Sequence, residues 1–492
     1  MTFKIPLLLL LLVCISCTSG RKENQAFEPN WESMKQYEVP DWFRDAKFGI
    51  YYHWGVYSVP AFKSEWYPHW MYVEGNPVHN YHVETYGSVN EFGYKDFIPM
   101  FRAEKFNAEE WAELFKKAGA RFAGPVTEHA DGFAMWDSRL TRFDAMDMGP
   151  KKDLVGEMEQ AVRAKRMKFI ATFHHQWLWG WYPTWDESSG TANPEYRDLY
   201  GPVVPSTAWG KEPDPMPDET FCERWKSRVL EVIDKYQPDL LWFDSKLCII
   251  DEQYRLDFLT YYYNKALSWD QDVVVTYKGE DLKPWAGVLD LERARMSELT
   301  DYPWLTDVSV DWGSWCDVQN PDYKTANRMI DFLVDVVSKN GCVLLNITPT
   351  ASGEIPEPVR ERLLEIGAWL KVNGEAIYDT RPWKVYGEGP TIITRGHLNE
   401  RDNPDHTAED IRFTSNGNRL YVIILDVPET LELKISSLNQ ENGINNKIIS
   451  GVSLLGTDQT ITWETSGEGL QLNMEEKPDL QHAIAFRIDM KE

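Results

Sequence analysis

The stretch NAEEWAELFKKAGARFAGPVTEH, residues 107–129, contains the unit that decides the fold. Its first half places apolar residues at helical spacing, and its second half is a short apolar run typical of a buried strand. The runs at 168–175, 239–244, 273–278 and 343–348 each follow a helical pattern in the same way, and FGIYYHW is a further run at 48–54. Repeated helix-then-strand units predict a parallel sheet covered by helices, closed as a (β/α)₈ barrel of the TIM type. A doubly wound open sheet is the alternative, but no glycine-rich phosphate loop follows any of the runs.

The pattern changes after RPWKVYGEGP at 381–390. Short apolar runs separated by Gly, Asn and Asp then predict a small antiparallel β-sandwich. We expect three parts: a leader with its tether at 1–22, a catalytic barrel at 23–385 and the sandwich at 386–492. For the sandwich, the sequence favours a packing role over a sugar-binding one.

The N-terminus resembles the signal of a bacterial lipoprotein. A lysine precedes the apolar run IPLLLLLLVCISC, which is too short for a comfortable membrane span. A small residue precedes Cys17, and a polar segment follows it. We therefore expect export to the periplasm or outer membrane, with membrane contact only through a lipid on Cys17. An ordinary secretory signal is the alternative.

Composition narrows the partners. A formal charge of −26 over 492 residues excludes nucleic acid, whose phosphates need basic partners. The chain has 22 tryptophans, a residue whose ring stacks on sugars, although most of them are expected in the core. Cys222, Cys248, Cys316 and Cys342 match no zinc spacing and are either buried thiols or disulfide-bonded. The sequence predicts no cofactor and no metal, and it leaves the oligomeric state open.

The ends of the predicted strands carry the polar side chains. In a barrel these C-terminal ends face the active site, and they include His53, His129, Asp244 and Glu292. Carboxylates, imidazoles and tryptophans together are typical of a glycosidase, in which two acids flank the scissile bond. Asp244 is the predicted nucleophile, with a helix cap as the alternative, and the histidines are predicted hydroxyl ligands. The neighbours His174 and His175 point to opposite sides of a strand, so at most one faces the pocket.

Four blocks carry a resemblance to a known family. They are WFRDAKFGIYYHWGVYSVPAFKSEWYPHWM (42–71), FNAEEWAELFKKAGARFAGPVTEHADGFAMWDS (106–138), YQPDLLWFDS (236–245) and NGCVLLNITPTASGEIPE (340–357). In this order they resemble the α-L-fucosidases of glycoside hydrolase family 29, over roughly residues 30 to 380. The resemblance implies a retaining mechanism through a covalent fucosyl-enzyme on Asp244, acting on a glycan. It also implies sugar-binding positions, which are His53, Glu65, Trp66, His129, Trp242 and one arginine, Arg293 or Arg295.

Two departures from the family pattern matter. Ala130 stands where the family usually has a second histidine, so one hydroxyl contact is expected to be absent. Leu305 stands where the family often carries its general acid, and a leucine cannot donate a proton. Glu292, Asp307 and, least suited, Glu298 are the local substitutes, unless the donor lies elsewhere or is lost. The sequence does not choose between Glu292 and Asp307.

The predicted function is a retaining exo-glycosidase that hydrolyses terminal α-L-fucosides. One alternative is the same fold acting on another α-L-sugar, such as an α-L-galactoside or a substituted fucose. The other is a carbohydrate-binding protein without catalysis.

Overall fold

The computed structural model describes residues 25–444 and 448–491, so the predicted leader and Cys17 lie outside the described residues. Eight parallel strands close into a barrel in chain order, which confirms the predicted (β/α)₈ fold. The strands are β1 Phe48–Tyr52, β2 Phe122–Glu128, β3 Lys168–Phe173, β4 Leu240–Phe243, β5 Val274–Lys278, β6 Val288–Glu292, β7 Trp304–Ser309 and β8 Gly341–Ile347.

Helices cover most of the barrel. They are α1 Trp31–Met34, α2 Asp41–Ala46, α3 Tyr67–Trp70, α4 Pro77–Tyr86, α5 Ala108–Lys117, α6 Leu154–Ala164, α7 Arg197–Tyr200, α8 Glu219–Tyr236, α9 Glu252–Trp269, α10 Ala326–Ser338 and α11 Glu357–Asn373. The connections β5–β6 and β6–β7 are fully described and contain no α-helix. Side-chain caps begin the long helices: the Asn107 oxygen accepts from the first N–H groups of α5, and Asp153 and Asp218 do the same for α6 and α8.

The barrel interior is apolar below the pocket and polar at its upper end. Leu240, Val274, Leu305 and Leu344 fill the lower part. On β6 and β7 the register pairs Asp290 with Leu305 and Glu292 with Asp307. Because side chains alternate along a strand, residues 290 and 292 share one face of β6, and residues 305 and 307 share one face of β7.

The C-terminal part consists of two antiparallel sheets around one apolar core, as predicted. Its strands are β9 Arg381–Glu388, β10 Ile411–Asn416, β11 Arg419–Ile424, β12 Glu432–Ile435, β13 Ile449–Leu454, β14 Ile461–Ser466, β15 Gly469–Met474 and β16 Ile484–Met490. The five-stranded sheet has the order β13-β16-β11-β10-β9, and the three-stranded sheet β12-β15-β14. Strand β9 crosses the expected boundary between residues 385 and 386.

A buried ion cluster joins the barrel to this second part. Asp335 of α10 contacts the side chains of Arg412 at 2.6 Å, Lys339 at 2.9 Å and Arg295 at 3.2 Å. Burial raises the pKa of Asp335, but the three cations outweigh it and hold the pKa well below the ordinary value. The carboxylate therefore stays charged in the interior and links helix α10 to strand β10.

Two further expectations concern the thiols and the membrane. Cys222, Cys248, Cys316 and Cys342 are all free, so the thiol alternative holds and the disulfide alternative does not. Within the described ranges, none of the helices combines the length and apolarity that a bilayer crossing requires.

Candidate active site

A cavity of about 530 Å³ opens at the C-terminal end of the barrel strands. All nine residues that the sequence nominated for the site line this cavity: His53, Glu65, Trp66, His129, Trp242, Asp244, Glu292, Arg293 and Asp307. Glu298 is exposed on the loop after β6 and does not line it. The alternative arginine, Arg295, is buried in the ion cluster with Asp335.

A lysine that the sequence analysis missed lies at the centre of the acids. The Lys278 Nζ atom, at the end of β5, contacts carboxylate oxygens of Asp244 at 3.4 Å, Glu292 at 3.0 Å, Asp307 at 3.2 Å and Asp290 at 3.7 Å. Burial lowers the pKa of Lys278, but these carboxylates outweigh it and hold the pKa well above the ordinary value. Lys278 ends the run 273–278, so the strand-end rule that found Asp244 also applies to it.

Asp244 and Glu292 lie close enough to act on one bond. Both contact the same ammonium, so their nearest oxygens are no further apart than about 6.4 Å, the two contact distances end to end. Retaining glycosidases have carboxyl groups about 5–5.5 Å apart, and inverting ones about 6.5–9.5 Å. A bound of about 6.4 Å on the two contacting oxygens is compatible with the retaining separation.

The pKa values of this pair are tied together. Burial raises the pKa of Asp244 to about 7, with Glu292 adding to the rise and Lys278 opposing it. Burial also raises the pKa of Glu292, but Lys278 outweighs it and holds the pKa below the ordinary value. Near neutral pH the pair is thus poised to hold one proton, which titrates as a property of both groups.

The other two acids lie deeper. The Tyr51 hydroxyl donates to Asp307 Oδ2 at 2.9 Å, and Trp242 Nε1 donates to Asp290 Oδ2 at 2.9 Å. The Asp307 side chain is 2% exposed, against 17% for Glu292. Leu305 is the register partner of Asp290, belongs to the apolar interior and does not line the cavity. The carboxyl groups that line the cavity therefore come from positions other than 305.

Three imidazoles form the opposite side of the cavity. His53, His129 and His174 are all buried, and each directly follows the last residue of its strand, β1, β2 or β3. The neighbouring His175 turns away, and its Nδ1 contacts Glu128 Oε1 at 2.8 Å, which confirms that only one of the two histidines faces the pocket. His174 thus adds a third imidazole to the cavity beside His53 and His129.

Aromatic rings form the walls. Trp66, Trp177 and Trp315 line the cavity, and the Trp315 backbone N–H donates to Glu65 Oε2 at 3.2 Å. Burial raises the pKa of Glu65 to about 7. Arg293 places its guanidinium 4.4 Å from the centre of the Trp315 ring.

Arg293 also fixes the loop that carries Trp315. Its guanidinium donates to the backbone carbonyls of Asp311, Trp312 and Ser314 at 2.7–3.2 Å. Arg293 therefore contributes to the wall through this loop as well as through its own side chain.

A segment of the C-terminal part completes the rim. His397, Leu398, Glu400 and Arg401 line the cavity, and we call residues 397–401 the strap. The Leu398 N–H donates to the Glu292 carbonyl at 3.1 Å, and the Glu400 carboxylate is paired with buried Lys324. The sequence favoured a packing role for this part of the chain, and it offered no signal for the strap, whose contacts join residues about a hundred positions apart.

Comparison with known proteins gives one consistent result. The family model described as Alpha-L-fucosidase matches residues 14–375, and the model described as Alpha-L-fucosidase C-terminal domain matches residues 403–489. The tissue alpha-L-fucosidase of Homo sapiens is 31% identical over 487 residues, covering 96% of this chain and 94% of that protein. The plasma alpha-L-fucosidase of Homo sapiens is 31% identical over 450 residues, covering 89% and 86%.

A solved structure agrees with the sequence matches. The alpha-fucosidase of Thermotoga maritima in complex with fucose superposes with a TM-score of 0.73 at 30% identity, covering 93% of this chain and 99% of that one.

Proposed function

Because the chain belongs to the α-L-fucosidase family of glycoside hydrolases, we propose that it removes terminal α-L-fucose from glycans by a retaining mechanism. The observation that carries the mechanism is the pair Asp244 and Glu292. Both carboxylates contact Lys278, so their contacting oxygens lie within about 6.4 Å of each other. This separation is compatible with a retaining mechanism, in which the same two acids serve both displacement steps. The Thermotoga maritima relative was solved with fucose, which supports the choice of sugar.

Asp244 is the proposed nucleophile. Its carboxylate attacks the anomeric carbon while the glycosidic oxygen leaves, and the sugar becomes an ester of Asp244. Lys278 stabilises the ionised carboxylate before attack, because the ammonium lowers the pKa that burial raises. Water then attacks the same carbon and releases fucose with its original anomeric configuration.

Glu292 is the proposed acid and base. In the productive form the proton that the pair shares lies on Glu292, with Asp244 ionised. Glu292 donates this proton to the departing oxygen in the first step and takes a proton from water in the second. Both acids contact Lys278, and Glu292 is preferred to Asp307 because its side chain is more exposed, whereas Asp307 is buried and accepts from the Tyr51 hydroxyl. Asp307 then acts as a positioning residue that orients Lys278.

The imidazoles and aromatic rings are proposed to hold the sugar. His53, His129 and His174 offer ring nitrogens to its hydroxyl groups, and the tryptophan walls suit its apolar face and methyl group. The strap lies beside Glu292, so we place the leaving group against Leu398 and Arg401.

Two residues, Ala130 and Leu305, were the reasons to consider an alternative sugar. Ala130 suggested a missing contact, and Leu305 suggested a missing acid. His174 lines the cavity with the other two histidines, and Glu292 and Asp307 supply carboxyl groups there although position 305 is a leucine. Fucose is therefore the proposed sugar, and α-L-galactosides are the comparison that tests it.

Hydrolysis of aryl α-L-fucoside and aryl α-L-galactoside tests this proposal, with the first-formed anomer followed by proton NMR. We expect faster cleavage of the fucoside and initial release of the α-anomer. Asp244→Ala should lose both activities while melting at the wild-type temperature. Initial release of the β-anomer, or turnover by Asp244→Ala, would refute the retaining assignment.

Export and lipid attachment at Cys17 are also proposed, on the sequence pattern alone. In a bacterial host, the wild-type chain should fractionate with membranes and incorporate labelled fatty acid. Cys17→Ser should do neither, and unchanged membrane association of that variant would argue against the anchor.

A further inference from the structure

Three buried histidines meet on one side of the cavity. Each of His53, His129 and His174 contributes one ring nitrogen, and these three nitrogens lie within 4.8 Å of one another. The Nε2 atoms of His53 and His174 are 3.4 Å apart. Two imidazole nitrogens bound to one tetrahedral zinc ion, each at about 2.0–2.1 Å, lie about 3.3–3.4 Å apart. One edge of a zinc triangle is therefore already formed, and the other two need to close by at most about 1.5 Å.

The tautomer of the His53 ring suits a metal. Neutral imidazole is the form that binds metal ions. His53 Nδ1 lies 2.8 Å from the Asn346 Oδ1 atom, so this nitrogen carries the proton and the lone pair is on Nε2. A second nitrogen held by an oxygen acceptor is the usual arrangement of a metal-bound histidine.

The hydrogen bonding of the other two rings is incomplete. Among the described residues, the buried Nδ1 atoms of His129 and His174 have no hydrogen-bond partner. The Nε2 atoms of His53 and His174 face each other at 3.4 Å, a contact that either a proton on His174 Nε2 or a bound cation satisfies.

The cavity holds carboxyl groups together with cationic side chains. Asp244, Glu292, Asp307 and Glu65 line it, and so do Lys278, Arg293 and, at the rim, Arg401. Asp290 adds a further buried carboxyl group beside Lys278. In the described part of the chain, no fourth His, Cys, Asp or Glu side chain joins this cluster of three histidines. The fourth coordination position of a bound ion would therefore open to the cavity.

We propose that His53, His129 and His174 bind a divalent cation of the zinc class, and that this ion and the sugar exclude each other. Zinc prefers nitrogen ligands in a tetrahedron, and water completes the three-histidine set. The ion occupies the place where the proposed function puts the sugar hydroxyls, so the exclusion rests on that function, whereas the metal site does not. The ion is an inhibitor here, because the retaining reaction proposed above has no step that needs it.

Zinc binding can be measured without activity. The purified enzyme, freed of any histidine tag, is titrated with Zn²⁺ against a chromophoric chelator. We expect one ion per chain, with affinity at least about 100-fold weaker in His174→Gln and in His129→Gln. His79→Gln is the matched control, since its ring contacts the Met71 carbonyl at 2.8 Å, outside the cluster. Its affinity should equal that of the wild type.

Several results would overturn the proposal. One is binding of less than about a tenth of a zinc ion per wild-type chain. Another is an unchanged zinc affinity in both His129→Gln and His174→Gln when these variants melt at the wild-type temperature. Saturating L-fucose should weaken zinc binding, and an unchanged zinc affinity would overturn the mutual exclusion. If the enzyme cleaves no α-L-fucoside but binds zinc through these histidines, the proposed function fails and the metal site stands.

Discussion

Replacing Lys278 with methionine should move the pH dependence of the nucleophile. The ammonium lies 3.4 Å from the Asp244 carboxylate, and at an effective dielectric constant of about 20 their attraction is about 5 kcal/mol. At 1.36 kcal/mol per pKa unit this equals between about 3 and 4 units. Since Asp290, Glu292 and Asp307 would take up protons once the ammonium is gone, we expect a net rise of about 2 units.

The sign follows from the role of the carboxylate. Asp244 must be ionised to attack, so kcat/KM for an aryl α-L-fucoside rises with pH through the Asp244 pKa, about 7 in the wild type. In Lys278→Met the rise should move to about pH 9. At pH 7 half of the wild-type carboxylate is ionised, against about 1% in the variant, so kcat/KM should fall about 50-fold. Activity should largely return at high pH.

Two variants control this experiment. Lys278→Arg keeps the charge and should leave the rise near pH 7. Lys246→Met removes another buried lysine, two residues from Asp244, whose ammonium lies over the Trp177 ring at 4.6 Å, and it should not move the rise. A rise within half a pH unit of the wild type in a folded Lys278→Met enzyme would refute the electrostatic account.

Three further predictions follow from the same contacts. Glu292→Gln removes a charge that raises the Asp244 pKa, so the rise in kcat/KM for an activated aryl fucoside should move about one pH unit lower. Cleavage of a fucosylated disaccharide should fall at least about 100-fold, and azide should restore turnover of the aryl substrate. A rise that moves to higher pH would contradict this. Leu398→Ala in the strap should lower kcat/KM for the disaccharide about tenfold and leave α-L-fucosyl fluoride unaffected, and equal losses on both would remove the strap from the leaving-group side. Asp335→Asn leaves Arg412 and its neighbours unpaired and should lower the free energy of unfolding by about 3–5 kcal/mol at pH 7. Because the Asp335 pKa is lowered, that stabilisation is present above the unfolded pKa of about 3.9 and is lost at lower pH, so denaturant unfolding should show the two proteins converging below about pH 4.

The barrel was predictable because its strands are continuous apolar runs. A parallel strand buried on both faces gives an unmistakable run, and the residue at its end faces the pocket. His53, His129 and Asp244 followed from that rule alone. Lys278 obeys the same rule, but a glycosidase is marked in its sequence by acids, imidazoles and tryptophans, and a lysine at a strand end is not part of that pattern.

Depth within the barrel was beyond the sequence. Leu305 and Asp307 face the same way on β7, but one lies in the apolar interior and the other at the cavity floor. The register between β6 and β7 pairs Leu305 with Asp290 and Asp307 with Glu292, and the sequence does not give this register. The strap was equally hidden, since the contact between Leu398 and Glu292 joins distant parts of the chain and leaves no periodic pattern.

Trapping of the covalent intermediate tests the central claim most directly. A 2-deoxy-2-fluoro-α-L-fucosyl fluoride slows both steps and accumulates the ester when its leaving group is good. The account predicts that intact-mass spectrometry finds one deoxyfluorofucosyl group per chain, and that peptide mapping assigns it to Asp244. A label on another residue, or rapid turnover of ordinary fucosides with no label at any residue, would contradict it.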